Sequence, residues 1–171
     1  MKKQKGFSLI ELLIVVAIIL IIAAIAIPNL LRAKMAANEA SAVGSMRTIV
    51  TAEISYQAAG WSNGVIPIGF SAALGDLGGA GCGGANFVST ATSACLIDQS
   101  LATATVGNPP KSGYNFAYAA QAAAGTNNAF TVNARPATVG QTGQRYFFTD
   151  GTGVIRFDPA QPATVASNPL Q

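Results

Sequence analysis

Glu11 is the residue of this 171-residue chain whose chemistry its neighbours constrain most, because it sits near the start of an apolar stretch that carries no other charge. A carboxylate in a low-dielectric environment costs several kcal/mol unless a proton neutralises it or a cation pairs with it. Its chemistry is therefore ion pairing; a lesser role is to reach the aqueous interface or to favour the positive N-terminal end of its own helix. Cys82 and Cys95, with twelve residues between them, are the other residues able to form a bond. Two thiols are too few for a four-thiolate zinc site. The chain has no histidine, which excludes Ser-His-Asp and Cys-His catalysis, histidine-ligated metals and imidazole acid–base work.

The elements that must position these groups begin with the apolar run. Residues 12–27 are sixteen consecutive Leu, Ile, Val or Ala, and counted from Phe7 the run reaches 21 residues, interrupted only by Ser8 and Glu11. At about 1.5 Å per residue a helix of this length spans roughly 30 Å, the hydrocarbon thickness of a bilayer. The pattern predicts one membrane-spanning helix. A lysine-bearing start followed by an apolar stretch also fits a secretory signal peptide. That reading expects a small-residue cleavage site after the run, whereas the chain passes Pro28-Asn29-Leu30-Leu31-Arg32 directly into a second helical pattern. Leu31, Met35, Val43, Met46, Val50 and Ile54 form its apolar stripe, Arg32, Lys34, Glu39, Arg47 and Glu53 lie in other directions, and Gly60-Trp61-Ser62-Asn63-Gly64 ends it. Pro28 has no N–H to give to Ala24, so it is expected to kink or loosen the helix locally.

Lys5-Gly6-Phe7-Ser8-Leu9-Ile10-Glu11 has the form of a type IV prepilin processing site, and as far as Leu31 the segment resembles the type IV pilin and type II secretion pseudopilin superfamily. The resemblance implies that a dedicated membrane peptidase and methyltransferase cuts after Gly6 and methylates the new amine of Phe7, while the apolar helix is retained. It implies copies of the chain in a helical filament, an inner-membrane assembly platform as partner, and partial unwinding around Pro28 on assembly. The chain then divides into a leader over 1–6, a transmembrane and filament-core half-helix over 7–28, and an amphipathic half-helix with an extracytoplasmic head over 29–171. Physical logic agrees with this arrangement. Cleavage removes Lys2, Lys3 and Lys5 from the side where positive charge holds a membrane helix, and creates one cationic amine at Phe7. That amine can pair with Glu11 of a neighbouring subunit. Methylation keeps its charge while removing donors. Gly6 offers the least hindered bond to a peptidase; its alternative role is a flexible joint.

Beyond the helix, 61–110 shifts to Gly, Ala, Ser and Thr, with six glycines within 75–84, and reads as a surface loop region. Its glycines do not make a phosphate-binding loop, since no Gly-Lys-Ser/Thr follows and no apolar strand precedes. Residues 94–102 fit a short helix with Leu96, Ile97 and Leu101 inward and Asp98 as a cap or in solvent. With the C-terminal part outside the cytoplasm, Cys82 and Cys95 are expected to form a disulfide, stabilising this segment by roughly 3 kcal/mol; two buried free thiols are the alternative. The last sixty residues change period: Tyr114, Phe116 and Tyr118 alternate, as do Phe130, Val132 and Ala134, and 145–148 and 154–157 are two further strand-like runs around a turn at 149–153. The fold class is α+β: a long N-terminal helix packed on an antiparallel sheet of about four strands, the aromatic stripe forming its core. The region from Lys111 to Arg156 also resembles the C-terminal part of certain bacterial pilin-like proteins.

Three functions compete. A pilus subunit polymerises through its Phe7 helix, inserted first in the inner membrane and then displayed at the cell surface. A pseudopilin of a type II secretion system uses the same assembly chemistry in the periplasm; resemblance to the major pseudopilin implies a calcium site in C-terminal loops, where only Asp150 and Asp158 supply carboxylates. A membrane-anchored enzyme is disfavoured by the lack of histidine, paired carboxylates or a nucleophile motif. No cofactor is expected. The formal charge of +3 rests on the leader, because removing three of ten basic residues leaves seven against seven acidic ones; nucleic acid is not an expected partner. No aromatic residue lies between Phe7 and Tyr56, so a filament core has no obvious ladder for conduction.

Overall fold

The computed structural model describes residues 7–62, 66–79, 82, 88–123 and 125–170. It comprises two compact units, Met1–Lys34 and Met35–Gln171. Helix α1 runs through Leu9–Ala58, with Pro28 inside it. Leu, Ala and the β-branched Ile and Val fill its apolar half, and the missing Pro28 donor is one bond among many.

In the second unit, α1 presents Ala42, Met46, Ile49, Glu53 and Tyr56 as a buried face, spaced four, three, four and three. This face differs from the stripe expected from sequence. Val43 and Met46 belong to it, but Ile49 replaces Ile54, which is 58% exposed, and Leu31 is exposed as well. Glu39 and Glu53, expected on other directions of the helix, are both buried. The physical reason lies across the fold, where fixed polar groups receive both carboxylates, as described below.

Strands β1 (Tyr114–Ala123), β2 (Thr126–Pro136), β3 (Tyr146–Asp150), β4 (Arg156–Asp158) and β5 (Asn168–Pro169) form one antiparallel sheet in chain order. Alternation is cleanest in β2, where Phe130, Val132, Ala134 and Pro136 are buried with less buried residues between them. Register places Tyr114 opposite Pro136 and Phe116 opposite Ala134, and Ala134 in turn opposite Phe147, which faces Phe157. These residues and the second half of α1 enclose one hydrophobic core, so the aromatic stripe is core, as expected. The α+β reading holds, with β5 added and the fourth strand starting at Arg156 rather than Val154. The addition is held by Leu170 N–H to Ile155 O at 2.8 Å and by the Arg156 guanidinium donating to Ser167 O at 3.1 Å.

The glycine-rich region does more than cover the surface. Two short helices, α2 (Leu74–Leu77) and α3 (Gln99–Ala102), insert Leu74, Leu77, Leu101 and Ala102 into the core. Gly78 permits their close approach, since a Cβ there would collide with that of Ala102. Asp98 caps α3, accepting from Leu101 N–H at 2.7 Å, and its other oxygen takes the Lys111 ammonium at 2.7 Å. The Lys111 contact, helped by Ser100 and Leu101, holds the Asp98 carboxyl at about 2. Ile97 and Leu101 point inward as expected, whereas Leu96 is exposed. It precedes the helix, which starts only at Gln99.

Candidate assembly segment and its anchors

The first unit contains an extended apolar surface. Every large apolar side chain from Leu9 to Ile27 is exposed, and the helix is long and apolar enough to cross a membrane by length and composition. A surface of this kind needs lipid or other apolar helices against it. Phe7 stands before the helix, 85% exposed. Glu11 lies in the first turn, where its Oε2 accepts the Ser8 backbone N–H at 2.9 Å. The carboxylate is thereby a cap, one of its anticipated roles, satisfying an N–H that the helix leaves unpaired. Among the described residues its Oε1 accepts no hydrogen bond, and no cation pairs with it. Gly6 lies outside the described residues.

Cys82 and Cys95 form the expected disulfide, with Cα atoms 5.5 Å apart. It ties the glycine-rich segment to the stretch that donates Leu96 and Ile97 N–H groups to Leu77 O.

Sequence reasoning missed two anchors of α1 in the head. Glu39 Oε1 accepts the backbone N–H groups of Gln144 at 2.9 Å and Arg145 at 3.2 Å, and its Oε2 pairs with Arg145 Nε at 2.7 Å. Burial alone would raise this carboxyl, but the Gln144 N–H and the side chain and N–H of Arg145 outweigh it and hold it below the ordinary glutamate range. Arg145 also lies over the rings of Phe147 and Phe157. Gly143 makes room for Tyr114, whose ring a Cβ there would strike; Tyr114 in turn donates its hydroxyl to Arg145 O at 2.8 Å. Burial pushes the Tyr114 hydroxyl well above the usual tyrosine range. Glu53, fully buried, accepts the Ser71 N–H at 3.0 Å and the Ser71 hydroxyl, while Tyr118 donates to Ser71 O at 3.0 Å. The available signal was spacing: Glu39 and Glu53 fall on the helical side that also carries Met46 and Ile49, a placement open to a carboxylate only when it is fully hydrogen-bonded.

Asp150 and Asp158 do not converge on a cation site. Asp150 Oδ1 accepts from Thr152, and Asp158 Oδ1 accepts the N–H groups of Ala160 and Gln161, each acid serving its own turn. Among the described residues no group of three or more Cys, Asp or Glu side chains gathers to hold a metal.

Comparison with known proteins bears on the first unit most directly. Residues 1–27 match the family described as the prokaryotic N-terminal methylation motif. The type IV wide pilus major component PilA4 of Thermus thermophilus is 49% identical over 57 residues, which are 33% of this chain and 44% of that protein. The type IV major pilin protein PilA of Myxococcus xanthus is 44% identical over 54 residues, 32% of this chain and 24% of that protein. The chain thus spans less than half the length of these curated relatives. No solved structure matches it. Residues 1–27 thus match the prokaryotic N-terminal methylation motif, and about a third of the chain is similar to type IV major pilins.

Proposed function

We propose that this chain is a structural subunit of a type IV pilus. The observation that carries the reading is the wholly exposed apolar helix from Leu9 to Ile27 beneath a methylation motif, with Glu11 its one carboxylate. A prepilin peptidase removes residues 1–6 between Gly6 and Phe7 and methylates the Phe7 amine. Residues 7–28 hold the precursor in the inner membrane and afterwards pack in the filament core, while 29–171 carry the head outward. Within the apolar bundle, Glu11 of one subunit receives the Phe7 amine of a neighbour through the oxygen that the Ser8 cap leaves open, and Pro28 provides a position where the helix loosens as the subunit leaves the bilayer for the filament. Each subunit offers its amine and its carboxylate to different neighbours, and a heterologous contact that does not close produces a filament. The assembly platform in the inner membrane adds subunits at the base.

A pseudopilin uses the same chemistry. The pilus reading is favoured by the names of the two relatives and by the commitment of Asp150 and Asp158 to local turns instead of a shared cation site. The test is imaging of cells with and without this gene: surface filaments lost on deletion and restored by complementation support a pilus, whereas unchanged surface filaments with a secretion defect assign the chain to a pseudopilus.

A further inference from the structure

The outer face of the sheet, turned away from α1 and the core, carries a cavity of about 780 Å³. This volume lies within the range of small-molecule sites. Register builds its floor in two rows. Asn115 of β1 stands opposite Arg135 of β2, and Ala117 stands opposite Asn133, which pairs across to Phe148 of β3. Tyr146, two residues before Phe148, shares that face. The chain after β4 forms a wall, residues 162–164, in which Ala163 is buried.

Several polar groups here are uncommitted. Arg145 and Arg156 are both engaged, by Glu39 and by Ser167 O. Among the described residues Arg135 has no ion pair or hydrogen bond, and neither the Asn133 amide nor the Tyr146 hydroxyl has a partner. The Asn115 amide nitrogen donates to Thr105 O and Asn108 O, both at 3.0 Å. That fixes the carboxamide and leaves its oxygen to accept. Among the described residues no carboxylate lines the cavity; Asp158, opposite Tyr146 in register, accepts the N–H groups of Ala160 and Gln161. The site therefore combines one unneutralised guanidinium, amide and hydroxyl groups free to hydrogen-bond, and an apolar patch at Ala117, Val139 and Phe148.

We propose that this cavity binds a sugar acid of the hexuronate type. The guanidinium takes the carboxylate in a forked contact, the Asn133 and Asn115 amides and the Tyr146 hydroxyl take ring hydroxyls, and the C–H face of the sugar lies on the apolar patch. The inference is independent of whether the chain builds a pilus or a pseudopilus.

The test is calorimetric titration of the full mature chain in detergent micelles, at neutral pH and low salt, with sodium glucuronate, glucose and sodium acetate as separate probes. Glucuronate is expected to bind, with glucose and acetate each weaker by about tenfold or more, because each lacks half of the recognised chemistry. Arg135→Gln is expected to weaken glucuronate about tenfold and to leave glucose unchanged. Ala117→Leu, which fills the floor, is expected to abolish binding. Arg135 is exposed and unpaired, so its variant retains the fold, which unchanged emission of Trp61 verifies. The proposal is overturned by absent glucuronate binding, by equal binding in Arg135→Gln, or by acetate matching glucuronate, which would reduce the site to an anion at one arginine.

Discussion

Glu39 is the best place to measure how firmly α1 is fixed to the head. In Glu39→Ala, two backbone N–H groups, of Gln144 and Arg145, and the Arg145 guanidinium all lose their acceptor. An unsatisfied donor that is buried costs about 1–3 kcal/mol. Here the lower end applies, because Arg145 is 39% exposed and water can replace part of what it loses. The loss comes to about 2–3 kcal/mol. Glu39→Gln keeps an oxygen for the backbone pair while removing the charge, and should cost about 1 kcal/mol. The assay is urea unfolding of the mature chain in micelles, followed by emission of Trp61, its single tryptophan, which packs against the core. With a slope of about 2 kcal/mol per molar urea, the alanine variant should unfold about 1 M earlier at unchanged slope. The pH dependence has a definite sign. Because the folded carboxyl is depressed below its unfolded value of about 4.3, its contribution is complete above that value and is lost as pH falls through the folded one. The gap between wild type and Glu39→Gln should therefore close in acid. An alanine variant within about 0.5 kcal/mol of wild type, or a gap that persists unchanged in acid, refutes the reasoning.

Glu11→Gln and Glu11→Ala should leave the protein in the membrane at near-normal levels but block or slow polymerisation, because the apolar run survives while the partner of the Phe7 amine is gone; wild-type filament yield in both removes the pairing role. Peptide mapping without reductant should recover the Cys82–Cys95 linkage, and replacing both cysteines by serine should destabilise the head by roughly 3 kcal/mol, whereas two alkylatable thiols in protein from intact filaments contradict it. Deleting residues 1–28 should give a soluble, folded monomer, since every buried residue of the core lies at Glu39 or beyond; a head that aggregates or lacks a cooperative transition shows that the sheet depends on its neighbours.

What could be read from the chain divides by how local each signal is. The apolar run and the motif around Gly6 and Phe7 are contiguous, so length and residue type suffice to find them. Strands β1 and β2 were legible because Phe130, Val132 and Ala134 alternate against a face of small and polar residues. Ile49 and Ile54 could not be told apart by helical period alone, since both fit a stripe with Met46 and Val50. The choice between them is made by Glu53, which lies on the same side as Ile49 and finds Ser71 eighteen residues away. Glu39 needed Gln144 and Arg145, more than a hundred residues downstream. Strand β5 has no β-branched or aromatic residue, and exists because Arg156 and Phe157 offer an edge to pair with. The outer cavity is equally non-local, assembled from three strands and the segment after the fourth.

The central claim is that residues 1–6 are a leader and that the helix beginning at Phe7 is retained for assembly. Intact-mass measurement and N-terminal sequencing of protein from purified filaments test it most directly. The account predicts a chain that starts at Phe7 and carries one methyl group on its α-amine; a mature chain that starts beyond Ile27 contradicts it.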